Sequence, residues 1–159
     1  GPRYAPGWSV KTSAVREQTF PADRPVLVEH HYRPSVGGSP DTILRKGLRQ
    51  NKALAAEVAR YRKDYCVTDA FLSELDKRAG AGAANTAGLG ERRINYVLKT
   101  GANWAGPIKS FKLAIDKGAP DRLVSFCAGR LKLDANGSDY VATDFKPDAD
   151  LRILIIGRF

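Results

Sequence analysis

The chain contains no methionine, two cysteines and two histidines, and these shortages remove much of the chemistry a protein could perform. Without methionine there is no start residue, so the chain is expected to be a piece of a longer translation product. Gly1–Pro2 is left out of the fold reading. His30 and His31 are neighbours on an alternating segment, so they point to opposite faces and do not share a metal. No spaced set of Cys and His completes a zinc site. No apolar run approaches the ~20 residues that span a bilayer; the longest, Ile153–Ile156, is strand-sized. No Gly-x-Ser-x-Gly elbow is present. The Gly- and Ala-rich stretch from Gly80 to Gly90 lacks the Gly-Lys-Ser/Thr ending of a phosphate loop. The segment Asp134–Asp139 misplaces its glycine for a calcium loop, and Phe145 stands where such a loop has its closing glutamate. Asp148 and Asp150, in a turn beside Pro147, read as solvated acids rather than the paired carboxylates of glycoside hydrolysis. The expectation is no catalytic residue, no metal and no cofactor. A hydrolase whose triad is recognisable only by geometry stays as an alternative.

What remains is an ordinary globular composition. The 159 residues are 43% hydrophobic and 27% charged, enough for one domain with a real core. The net charge of +9, from 26 basic and 17 acidic residues, permits an anionic partner without requiring one.

A single domain is expected over 3–159. Trp8, Val10 and Thr12 alternate with polar residues, and Val26, Val28 and His30 alternate with Leu27, Glu29 and His31. Period-two alternation predicts half-buried strands over about 8–33. Gly37-Gly38-Ser39-Pro40 closes that region. A helical insertion follows over about 41–78. Asp41 is positioned to cap a first helix to Lys63, with Ile43, Leu44, Leu48, Leu54, Val58 and Tyr61 at helical spacing. Gly47 weakens it. Thr68 caps a second helix over Asp69–Arg78. A flexible loop is expected over 79–91. Strands then follow over 92–158: Ile94–Lys99, Ile108–Asp116, Leu123–Cys127, Leu131–Leu133, Tyr140–Phe145 and Leu151–Ile156. Asn136-Gly137 is a two-residue hairpin turn. The predicted fold is mainly β, an antiparallel sandwich-like domain with one or two inserted helices.

Two segments invite partners. Arg45, Lys46, Arg49 and Lys52 crowd the first helix together with Arg60, Arg62 and Lys63, and Glu57 is the only acid within it. Such a helix can lie on an anionic membrane or glycan, although its apolar stripe is needed for docking on the sheet and a solvated face is the plainer reading. Nucleic acid is not expected. Asn103-Trp104 sits in a constrained loop between Thr100 and Pro107. A Trp there anchors a partner or, more commonly, caps a core edge. Cys66 and Cys127 either pair or remain as buried thiols; their number alone leaves both open.

Several blocks resemble a bacterial family, domain of unknown function 4424. They include Gln18–Ala22, Val28–Ser39, Asp64-Tyr65-Cys66, Tyr96–Ile108, Asp116–Gly118, Leu123–Cys127, Thr143–Pro147 and Asp150-Leu151. The resemblance implies an exported, periplasmic protein about twice this length, of which the chain corresponds to the C-terminal half. It implies no activity and no catalytic residue. Export in turn implies a disulfide between Cys66 and Cys127. The implied partner is the N-terminal half of the same protein, with an envelope protein or anionic membrane surface as a further one. Trp8 and its strand are candidates for that contact, because strand edges left without their cover invite pairing.

Overall fold

The computed structural model describes residues 13, 15, 17–31, 33, 36–79, 88–137 and 139–159. The chain divides into two units, Gly1–Arg33 and Pro34–Phe159.

The described residues of the first unit are irregular apart from a turn over 22–24. The expected strand over 26–32 does not form among them, and Leu27 is 83% exposed. Alternation marks a segment that could line a half-covered sheet; a strand also needs a neighbour for its backbone, and the described part of this unit holds none. The expected strand at Trp8–Thr12 lies outside the described residues.

The second unit has three layers. Strand β1 (Gly37–Ser39) precedes the helical segment: α1 (Lys46–Arg49), a 3-10 turn (Lys52–Leu54), α2 (Ala55–Tyr65) and α3 (Asp69–Ala79). Then come β2 (Gly90–Tyr96), a second 3-10 turn (Lys99–Asn103), β3 (Ile108–Leu113), β4 (Leu123–Phe126), β5 (Lys132–Leu133), β6 (Tyr140–Phe145) and β7 (Leu151–Gly157). They form a four-stranded sheet in the order β1-β2-β7-β4 and a three-stranded sheet in the order β3-β6-β5. All pairings are antiparallel. The mainly β, sandwich-like fold with inserted helices is thus the one the sequence led us to expect.

Strand β7 explains the layering. Leu154 and Ile156 pack against Tyr61, Tyr65, Leu72 and Leu75 of the helices. Leu151, Ile153 and Ile155 pack with Phe126, Phe145 and Phe111 toward the second sheet. Both faces of the strand are covered, so it reads as a continuous apolar run rather than an alternation.

The first predicted helix is broken into pieces. Asp41 does not cap it: its carboxylate accepts from Thr42 N–H at 2.8 Å and pairs with Arg45 at 2.9 Å. At Asn51 the backbone is extended (ψ 118°) and the side chain accepts from Ala53 N–H, the local competition that makes Asn a poor helix-interior residue. Thr68 caps α3 as expected, accepting from Phe71 N–H at 3.1 Å. Residues 80–87 of the predicted loop lie outside the described residues, but its end is not loop. Leu89, Gly90 and Glu91 are buried and β2 starts at Gly90.

Cys66 and Cys127 form a disulfide, with a Cα–Cα distance of 4.9 Å and a sequence separation of 61. Cys66 follows α2 in the left-handed region (φ 51°), and Cys127 follows β4. The bridge therefore ties the helical layer to the edge of the larger sheet.

Candidate interaction site

The open side of the sandwich is an accessible apolar feature of the second unit. Strand β1 pairs with β2 only along Glu91–Arg93, so Ile94–Tyr96 has no outer neighbour among the described residues. Strand β3 pairs only with β6. Between these two free edges lies an apolar cleft of about 240 Å³, lined by Ile94, Tyr96, Leu98, Phe111, Leu113 and Ile153 among others. Tyr96 in its lining is 46% exposed, and Val97, next in the chain, is 65% exposed. Unpaired backbone beside uncovered apolar side chains is what a further strand or a packed surface would cover.

The chain leaves this cleft at Leu98 and enters the Trp104 loop. The sequence reading carried β2 on to Lys99, but Asp150 Oδ1 accepts from both Leu98 N–H and Lys99 N–H at 3.0 Å. Those amides are thereby taken from any sheet, and the chain turns into the 3-10 segment. The two amides hold the Asp150 carboxyl below the usual carboxylate range. Gly101 lies over buried Pro147, where a Cβ would sit 3.2 Å from Pro147 Cγ; a larger residue would have to push the proline ring back by a few tenths of an ångström. On this base Trp104 does not cap the core. It is 65% exposed, and Asn103 is exposed beside it.

The predicted basic surface changes character. Arg49 forms a two-pronged pair with Asp76 and also donates to Leu44 C=O at 2.9 Å. Its guanidinium holds the Asp76 carboxyl down. Arg45 pairs with Asp41 and Arg62 with Asp69. Arg49, Arg62, Asp69 and Asp76 line a polar cavity of about 380 Å³ between α1, α2 and α3. Two of the four cations named for an anionic surface, Arg45 and Arg49, therefore work inside the fold, while Lys46 and Lys52 are exposed. One straight helix with one basic face does not exist here.

His30 and His31 are exposed, in irregular backbone. Among the described residues no group of three or more His, Cys, Asp or Glu could hold a metal ion. Trp8 lies outside the described residues.

One cluster escaped sequence reasoning. Glu91 is 4% exposed. Its Oε1 accepts from Tyr61 Oη, and Arg93 Nη1 lies 3.3 Å from the same oxygen and 3.2 Å from the Tyr61 hydroxyl. Its Oε2 is buried without a partner among the described residues. Burial and the neighbouring carboxylate both push the Tyr61 phenol well up, so it stays a donor. The signal was masked because Gly90-Glu91-Arg92-Arg93 reads as the polar end of a loop. The fact that Glu91 and Arg93 share one strand face was the available clue.

A family model, Domain of unknown function (DUF4424), covers residues 2–154. The chain belongs to this family. No curated protein and no solved structure matches it. Membership assigns DUF4424 residues no activity, so the open cleft, the Trp104 loop and the disulfide rest on their own geometry. Among the described residues no helix is long and apolar enough to cross a membrane. The bridged cysteines fit an oxidising compartment.

Proposed function

We propose that this DUF4424 chain is a non-enzymatic packing and binding domain of an exported, periplasmic protein. Its open β2–β3 side packs against the N-terminal half of the same protein and leaves the Trp104 loop to meet an envelope component. The observation that carries the reading is the apolar cleft between two unpaired strand edges. The disulfide supports export, since such bridges are rare where thiols are kept reduced. A photo-crosslinking residue at position 96 of the full-length protein in its native envelope tests it. Adducts within the N-terminal half are expected. Adducts only from a control position on the helical layer, such as 52, would overturn the packing arrangement. Metal-independent hydrolysis by the pure protein, abolished by one point mutation, would overturn the non-enzymatic part.

A further inference from the structure

A second opening lies where β6 loses its neighbour, across the smaller sheet from the β2–β3 cleft, and the two share Phe111 in their linings. Strand β5 pairs only Lys132 with Val141 and Leu133 with Tyr140. The cause is local: Gly129 is left-handed (φ 55°), and Leu131 N–H donates to Ala128 C=O at 2.9 Å, so the chain turns just before β5. Beyond Val141, the stretch Ala142–Phe145 runs on with no strand on that side among the described residues. A cavity of about 390 Å³ opens along it and reaches across β6 to Ser110 and Phe111 of β3.

The lining has an apolar part and a charged part. Phe111 and Phe145, with ring centroids 4.7 Å apart, supply the first. Arg130 and Lys132 supply the second, and both are exposed. Neither makes an ion pair with a described residue, unlike Arg45, Arg49, Arg62 and Arg78 elsewhere. The one acid in the lining, Asp144, is already paired with Lys109 at 3.4 Å. Asp144 also has a left-handed backbone (φ 47°), a conformation that side-chain-bearing residues adopt rarely and often at functional positions. The cavity thus joins a free strand edge, one half-buried aromatic ring backed by the buried Phe145, and two cations that pair with no described acid.

We propose that this site binds an extended acidic segment of a partner protein. The segment adds a strand to β6 beyond β5, places its carboxylates on Arg130 and Lys132, and lays its apolar side chains on the half-buried Phe111. Main-chain pairing supplies affinity, and the two cations select an acidic sequence.

The test uses the whole, disulfide-bonded chain labelled with ¹⁵N and titrated with an end-blocked alternating glutamate–valine hexapeptide. Amide shifts and slowed exchange at 142–145 are expected. Arg130→Glu/Lys132→Glu is expected to weaken binding by about tenfold or more, since repulsion replaces both ionic contacts. Both side chains are exposed, so an unchanged melting temperature should show that the variant is folded. Lys46→Glu/Lys52→Glu, in the helical segment, should bind as the wild type does. The proposal is overturned if the hexapeptide does not bind, or if a lysine–valine hexapeptide binds equally well. It is also overturned if glutarate alone matches the peptide, which would make this an anion site only. Binding of a sulfated polysaccharide with β6 amides unperturbed, in place of the peptide, would reassign the cations to a polyanion surface.

Discussion

At the scale of single residues, a buried charged cluster sits beside the apolar core of the second unit. Glu91, Tyr61 and Arg93 join α2 to β2 through a buried carboxylate. A charge removed from water is tolerated only while its partners remain. Tyr61→Phe removes the donor on Oε1 and is expected to cost about 1–3 kcal/mol. Arg93→Met should cost about 2–4 kcal/mol, below the figure for a fully buried pair because the Arg93 side chain is one-third exposed. In Glu91→Leu/Arg93→Met most of that loss should return. Urea unfolding of the three variants checks this; a double variant weaker than Arg93→Met alone would contradict it. Asp150 gives a pH prediction. Its carboxyl is held below the usual range in the folded chain by the Leu98 and Lys99 amides. Its contribution is therefore present above the unfolded pKa, about 4, and lost as pH falls through the lower folded value. Asp76, held down by Arg49, has the same sign. Asp150→Asn should flatten the decline in melting temperature below about pH 4; an unchanged acid limb would mean the Asp150 carboxylate carries no linkage.

Among the elements, β7 and the disulfide do different work. Leu154 is fully buried on the helix side of β7. Leu154→Ala should cost about 2–5 kcal/mol, depending on how far the cavity collapses. The Cys66–Cys127 bridge joins α2 to β4 across a separation of 61 residues. On chain entropy, replacing both cysteines with serine should destabilise the chain by about 2–4 kcal/mol. Calorimetry compares them, and intact mass under non-reducing conditions confirms the bridge in the parent. A loss confined to Leu154→Ala would show that core packing alone holds the helices on the sheet. Legibility divides along the same lines. Strand β6 was readable to the residue, since Tyr140–Phe145 follows a strong hairpin turn and stays regular. The first helix was not, because its apolar spacing continues through Asn51 while the backbone does not. The last part of the predicted Ile94–Lys99 strand failed for a non-local reason: its amides are captured by Asp150, far along the chain.

On the scale of the whole molecule, the net charge of +9 opposes self-association, whereas the open β2–β3 side favours it. Screening the charge should tip the balance. Sedimentation velocity of the chain is expected to show more dimer at about 0.5 M salt than at about 0.05 M, and Tyr96→Lys should abolish the difference. A monomer at both salt concentrations would mean that the cleft is not adhesive. The candidate sites show what each source of information contributed. The sequence by itself determined the composition of the core, the strand series after residue 92 and, through family blocks, the cysteine pairing, because these depend on local periodicity and short motifs; it placed a hairpin at Asn136-Gly137 but not its length, since Leu133 pairs with Tyr140 and only Gly137 of the two takes a positive φ. Only the tertiary structure decided that Arg45 and Arg49 are spent on internal acids, that Trp104 faces outward and that Glu91 is buried. It also decided where strand edges are left bare. Apart from the local Arg45–Asp41 pair, each of these depends on which distant residue arrives beside the group, and that is fixed by packing between layers rather than by the spacing along one segment.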